Sequence, residues 1–224
     1  MEKIADITEI MKQRENMYRF LSGLYKQEID EEVFRYMKET EFPEDGDAVI
    51  AEGYKQMKSF INSSLLDPVT DLAVDYARVF LGAGIAETDQ SAYPYESVYT
   101  SEYKLIMQEA RDSMFHVLTG KDLGVKKGYD IPEDHIFIQL EFMAFFCKEI
   151  VGSVKGNDKD TAELLMSDQR EFMKKHMLNW IPTFCEDVRK FALTDFYRGL
   201  AKVTNRFISM DMELLEELIA SYSD

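Results

Sequence analysis

Asp134 and His135 place an acid beside an imidazole just ahead of a long apolar run, Ile136 to Val151. Such a pair can move a proton, accept hydrogen bonds from a cation or hold a peptide group. Their surroundings in sequence narrow that list. His116, His135 and His176 have no Glu or His three or four residues away in an ExxH or HxxxH pattern, so no metal site on a helix is expected. The closest glycine pair is Gly82 and Gly84, and neither GxGxxG nor GxxxxGK occurs, so no standard phosphate cradle is read. Ser97 lies in no recognisable nucleophile elbow. No catalytic residue, metal or cofactor is assigned, and an enzyme has little support.

What remains is chemistry of recognition. Residues 81 to 100, LGAGIAETDQSAYPYESVYT, carry two glycines, a proline and three tyrosines without a usable period. Connections of this length inside compact domains are uncommon and often functional. Tyr93, Tyr95 and Tyr99 are costly to leave wholly solvated, so the loop is expected to lie on the body of the protein. The candidate constellation is Asp75, Tyr76 and Phe80 before the loop, Pro94, Tyr95, Glu96, Ser97 and Tyr99 within it, and Asp134 with His135 beyond it. The bland alternative is an ordinary packed loop, a first-turn acid at Asp134 and core tyrosines.

The elements that must position these residues all read as helices. Apolar residues recur at three and four from Ile4 to Tyr25, then over Glu31 to Glu39, over a helix capped by Asp47 that runs to about Asn62, and over one that starts at Asp67-Pro68. A helix is expected from Ser101 to Leu118 with Tyr103, Ile106 and Met107 inward. The segment from Gly120 to Asp130 holds three glycines and three lysines and is the candidate hinge. Asp130 and Glu133 fit an N-cap and its reciprocal third position ahead of the apolar helix, with Pro132 in its first turn.

Gly152 to Asp158 reads as a turn, and Asp160 or Thr161 opens a helix to about Met177 with Leu164, Leu165, Phe172 and Met173 inward. Pro182 marks a helix junction. A last long helix begins at Thr194 or Asp195, with Asp211, Glu213, Glu216 and Glu217 as its acidic outer face. No stretch alternates as a strand would. The expectation is an all-α fold of nine to ten helices in a single domain, residues 1 to 224.

At 224 residues the chain can bury a substantial core, and 46% of it is hydrophobic. Acids outnumber bases 42 to 26, a formal charge of -16, which disfavours nucleic acid as a partner. Cys147 and Cys185 sit in apolar surroundings and form no CxxC; two reduced buried thiols are the simplest reading, and spacing alone leaves a disulfide open. No apolar run is long enough to span a membrane, and no basic start precedes an apolar stretch, so a cytoplasmic protein is expected.

Three motifs resemble those of the TorD/DmsD family of assembly chaperones for exported molybdenum-cofactor oxidoreductases. DYARVFLG at 75 to 82 is similar to the family's Tyr-x-x-Leu-Phe-x-Gly segment, PYESVY at 94 to 99 to its Pro-x-x-Ser-x-Tyr loop, and PEDHIFIQLEFM at 132 to 143 to its Asp-His helix. With the helical pattern and the length, the likeness covers most of the chain. It departs at Val79, where Leu is common, and at Gln139, where an acid is frequent.

The resemblance implies a protein that binds the twin-arginine leader of a partner enzyme and holds the apoenzyme for cofactor insertion before export. It carries the leader site over to Tyr76, Phe80, Pro94, Tyr95, Ser97, Asp134 and His135. Paired guanidinium groups call for carboxylates, for which Asp134 and Glu96 are the candidates. An apolar segment calls for aromatics, here Tyr76, Phe80, Tyr95 and Tyr99. His135 offers a donor to a peptide carbonyl or a pH-sensitive group.

Two other classes stay open on sequence alone. One is a nucleotide-binding or hydrolysing enzyme that uses Asp134 and His135 as an acid/base pair; the other is a helical adaptor without catalysis. The oligomer is expected to be a monomer or a dimer swapped at the 120 to 130 segment.

Overall fold

The computed structural model describes residues 2–43, 45–85, 90–125 and 130–223. Among them are ten helices and no strand. In chain order they are α1 (Glu2–Lys26), α2 (Glu31–Glu39), α3 (Ala48–Ile61), α4 (Pro68–Leu81), α5 (Glu96–Thr100), α6 (Glu109–Thr119), α7 (Ile136–Lys155), α8 (Lys159–His176), α9 (Ile181–Phe191) and α10 (Asp195–Ser223). Four begin on an aspartate. Asp30, Asp47, Asp67 and Asp158 each accept a hydrogen bond from a first-turn amide, which satisfies a donor that has no partner inside the helix.

The chain forms two compact units, each built from separated stretches. The first holds residues 1–23, 95–180 and 208–224; the second holds 24–94 and 181–207. The expected hinge at 120 to 130 belongs to the first unit, and its residues 126–129 lie outside the described residues.

In the first unit α7 packs along α8, with Phe142 and Phe146 meeting Phe172 at ring-centroid distances of 4.8 and 6.3 Å. Helix α7 buries residues on nearly every face, as its composition requires. A buried ionic network ties α1, α8 and α10 together. Arg14 donates through Nε and Nη2 to the two oxygens of Asp211 at 2.6 and 2.8 Å, and through Nη1 to Gln169 Oε1 at 2.9 Å. The Tyr18 hydroxyl donates to the same carboxylate. Asp211 therefore lies in the core and not on the acidic outer face expected for it, because a buried guanidinium provides both hydrogen bonds and charge. Glu213, Glu216 and Glu217 do face solvent.

In the second unit α3 and α10 touch through Gly53 and Gly199. A Cβ on Gly53 would stand 2.6 Å from Val203 Cγ2 and 2.9 Å from the Gly199 carbonyl oxygen, so only glycine lets the two backbones approach. Gly82 ends α4 in the left-handed region at φ 69°, where a Cβ would also collide with the Tyr93 hydroxyl. Asp75, midway along α4, caps the corner between α9 and α10. Its carboxylate accepts from the amides of Leu193 (3.0 Å to Oδ1) and Thr194 (2.8 Å) and from the Thr194 hydroxyl (2.7 Å). Asp75 thus has a structural task.

Several boundaries differ from the periodic reading. Of the expected helix from Ser101 to Leu118 only the part from Glu109 onward is helical, as α6; residues 101 to 108, which follow α5, form a turn in which Lys104 and Met107 take positive φ. Tyr103, Ile106 and Met107 are exposed and not inward. The irregular stretch is shorter than 81 to 100, since Leu81 belongs to α4 and Glu96 opens α5; residues 86–89 lie outside the described residues.

Helix α7 runs on through Gly152 to Lys155, and α8 starts at Lys159 on the Asp158 cap. Leu164 is exposed, and the inner face of α8 includes Ala162, Met166, Gln169 and His176 instead. Cys147 and Cys185 are both free and buried. Burial pushes the Cys147 thiol up to about 11 and raises Cys185 further, so both are protonated and inert at neutral pH.

Candidate functional site

Within the first unit, two stretches 40 residues apart in sequence lie side by side. Tyr95 and His135 form an isolated antiparallel bridge. Beside it the Glu96 amide donates to the Asp134 carbonyl at 3.1 Å, and the Ser97 amide donates to Asp134 Oδ2 at 2.8 Å. The Tyr95 ring stands edge-on to His135 at 4.9 Å between centroids. The tyrosine loop and the acid–imidazole pair are therefore in contact, and they hold the start of α5 against the start of α7.

The way α7 begins explains the geometry. Its N-cap is His135, whose Nδ1 accepts from the Phe137 amide at 3.1 Å, and not Asp130. Glu133 does not close a capping box either; it pairs with Arg111 at 2.6 Å and 3.1 Å. Since Nδ1 accepts, Nε2 carries the proton of the neutral ring. Burial drives His135 down to about 3, so the ring is neutral throughout the physiological range and does not titrate near neutrality in the ligand-free chain. Nor do Asp134 and His135 form an acid/base dyad, because the carboxylate turns to Ser97 and the imidazole to Phe137.

Asp134 is fully buried, and only one of its oxygens is engaged. Oδ1 has no hydrogen-bond partner among the described residues. Burial raises its pKa, the nearby Glu96 charge adds to that, and hydrogen bonds from Ser97 and from its own amide act in the opposite direction. Tyr95, half-buried beside it, is raised by burial and by the Asp134 charge. A buried carboxylate oxygen without a donor is costly, and cationic donors relieve that cost.

Glu96 has the opposite character. Its buried carboxylate accepts from Gln139 Nε2 at 2.7 Å and Asn179 Nδ2 at 3.1 Å, and meets His176 Nδ1 at 3.0 Å. Trp180 Nε1 donates to Gln139 Oε1 at 3.1 Å and to the His176 carbonyl at 2.8 Å, while Tyr99 lies 5.5 Å from the Trp180 ring. Both Glu96 oxygens are occupied by the protein itself. The amide at position 139 follows from this: an acid there would face the Glu96 carboxylate in the core, whereas Gln139 donates to it and accepts from Trp180.

Ser97, also buried, uses its hydroxyl to accept from the Gln108 amide at 3.2 Å, which closes the base of the turn between α5 and α6. His176, Asn179 and Gln108 carried no local signal in sequence. Gln139 did, as one of four polar residues in an otherwise apolar helix.

The remaining predicted residues belong to the second unit. Tyr76 and Phe80 are core residues: the Tyr76 hydroxyl donates to the Tyr25 carbonyl at 2.9 Å, and Phe80 packs among Tyr25, Tyr76, Phe184 and Tyr197 at centroid distances of 5.0 to 6.1 Å. Their rings are buried and do not line an exposed aromatic groove, and Pro94 is buried as well. Among the described residues no group of three or more His, Cys, Asp or Glu is placed to hold a metal ion, and no helix is long and apolar enough to cross a membrane.

These features define an all-helical protein in which buried polar residues clamp chain segments together around one carboxylate oxygen left without a donor among the described residues. Comparison with known proteins gives this class a family. The family model for the nitrate reductase delta subunit matches residues 44–186. A chaperone protein TorD from Vibrio cholerae serotype O1 is 30% identical over 154 residues, 68% of this chain and 66% of the relative. A second, from Shewanella pealeana, is 27% identical over 95% of this chain and 94% of its own length; a third, from another Vibrio cholerae strain, is 28% identical over 96% and 97%. The chain belongs to the nitrate reductase delta-subunit family, that of the TorD chaperones, and its relatives are named as chaperones and not as enzymes.

Proposed function

We propose that this protein is a maturation chaperone that binds the twin-arginine leader of an exported molybdenum-cofactor oxidoreductase and holds the apoenzyme until the cofactor is inserted. The reading is supported by the family and, within this chain, by one observation: Asp134 keeps a buried carboxylate oxygen with no donor while its other oxygen fastens the tyrosine loop. A guanidinium group supplies planar, charge-assisted donors and is less strongly hydrated than an ammonium, so it suits such an oxygen. Because Asp134 is closed off from solvent, the ligand reaches it by displacing neighbouring side chains. The half-buried Tyr95 is the side chain to move.

Glu96 is not the second receptor carboxylate in this reading, since its partners already fill it. A proton-transfer reading loses its basis in the separate engagements of Asp134 and His135. Calorimetry with a synthetic leader and with its Arg-Arg to Ala-Ala counterpart tests the proposal. The authentic leader is expected to bind at micromolar strength or tighter, on the order of -8 kcal/mol, and the alanine version at least tenfold more weakly. Equal heats from both peptides would remove the proposal.

A further inference from the structure

Among the described residues, the turn between α5 and α6 carries the longest run of exposed large apolar side chains. Tyr103, Leu105, Ile106 and Met107 are 72, 58, 47 and 55% exposed, four large apolar residues within five positions. Single exposed hydrophobics are ordinary, but a contiguous cluster marks an interaction surface. The cluster is held in place. Ser97 accepts from the Gln108 amide at one end through its hydroxyl, and Ser97 is itself fastened by Asp134. Gln108 also donates from its side chain to the carbonyls of Ile106 and Met107 at 3.1 and 3.2 Å. Lys104 and Met107 take φ of 52° and 62°, a conformation that L side chains rarely adopt, so the fold forces this turn outward against local preference.

We propose that residues 103–107 form the docking surface for the apolar segment of a polypeptide whose neighbouring residues are basic. This rests on the leader-binding reading and deepens it, by assigning the apolar part of the leader to a turn which the Asp134 to Ser97 anchor supports. Charge selects the occupant. Glu102 and Glu109 flank the cluster, both exposed and without an ion-pair partner among the described residues. Lys104 is the one cation within the turn, and Arg111, beyond it, is already paired with Glu133 and Asp112. A partner with basic residues next to its apolar run therefore meets attraction at the rim. A second copy of this chain, with a formal charge of -16, would bring like charge to the same place.

The test replaces Leu105, Ile106 and Met107 together by serine. All three are exposed, so the melting temperature is expected to stay within a few degrees of wild type. Three synthetic peptides are titrated by calorimetry: one with Arg-Arg ahead of a leucine- and alanine-rich run, one with that run replaced by serine and glycine, and one with the run intact and Ala-Ala in place of Arg-Arg. Wild type is expected to prefer the apolar peptide at least tenfold, and the triple variant to lose that preference while it still distinguishes Arg-Arg from Ala-Ala. If the triple variant does not fold, Leu105→Ser and Ile106→Ser singly are each expected to lose roughly threefold.

Unchanged preference in the variants would overturn the assignment and leave leader binding standing. If wild type ignored the arginines yet the variants still lost affinity for the apolar run, leader recognition would fall and the docking surface would remain. Sedimentation that shows a wild-type dimer, abolished in the variants with peptide binding unaltered, would assign the turn to self-association and overturn the proposal.

Discussion

Asp75 and Asp134 both lie in stretches that resemble motifs of the family, and both are buried, but the two units treat them differently. Asp75 accepts from two amides and a hydroxyl and fixes the corner at which α10 begins. Asp134 accepts from the Ser97 amide through one oxygen and leaves the other without a donor. A fully satisfied buried carboxylate serves the fold; a half-satisfied one stores free energy that a ligand can release. Under the proposed function, the count of donors, and not membership in a motif, separates the structural role of Asp75 from the binding role of Asp134.

The largest effect is expected at Asp75. Asp75→Ala leaves the Leu193 and Thr194 amides and the Thr194 hydroxyl without their acceptor, and should cost about 3 kcal/mol in urea unfolding, since each buried donor left unpaired costs roughly 1–3 kcal/mol. Leader affinity per folded molecule should not change. A variant as stable as wild type would erase the contrast from the Asp75 side.

The next effect is a pH dependence at His135. Its folded pKa of about 3 lies below the ordinary 6.5, so its contribution to stability is present above pH 6.5 and is lost as the pH falls toward 3. About 2 kcal/mol should disappear between pH 7.5 and pH 5. Asn at 135 can still cap α7 and does not titrate, so His135→Asn should flatten that part of the profile. Superimposable unfolding profiles for the two proteins would place the charge-sensitive group elsewhere.

The smallest change in stability, and the sharpest in function, is expected for Asp134→Asn. An amide oxygen still accepts from Ser97, so unfolding should move by no more than about 1 kcal/mol. Affinity for the Arg-Arg peptide should fall at least tenfold. Because burial raises the Asp134 pKa, leader binding to wild type should also weaken as falling pH protonates the carboxyl. A large loss of stability with intact binding would give Asp134 the same role as Asp75.

Much of the helical frame can be read from local pattern. The Asp47 cap and the bounds of α2 follow from spacing, and the wholly apolar character of α7 announces a core helix. The departures arise where a distant partner outweighs a local preference. Asp130 and Glu133 look like a capping box, but Arg111 takes Glu133, and His135 caps the helix. Asp211 resembles a surface acid because its partner, Arg14, lies 197 residues away. The apolar spacing of Tyr103, Ile106 and Met107 mimics a buried helix face, although residues 101 to 108 lie between α5 and α6 and the positive φ at Lys104 and Met107 is incompatible with a helix there.

For the site, contact between the tyrosine loop and the acid–imidazole pair was legible from the motifs. The burial of Tyr76 and Phe80 in the other unit's core, and the commitment of Glu96 to its own partners, depend on packing that no local spacing encodes.

Trp180 is the only tryptophan in the chain, and its indole is tied to Gln139 and to the His176 carbonyl beside the residues that hold Glu96. Nature has thereby placed a built-in fluorophore next to the clamp at the start of α5. Any ligand that dislodges Tyr95 and pulls on that clamp should alter the emission wavelength or its quenching by iodide, so occupancy can be followed in real time without attaching a dye.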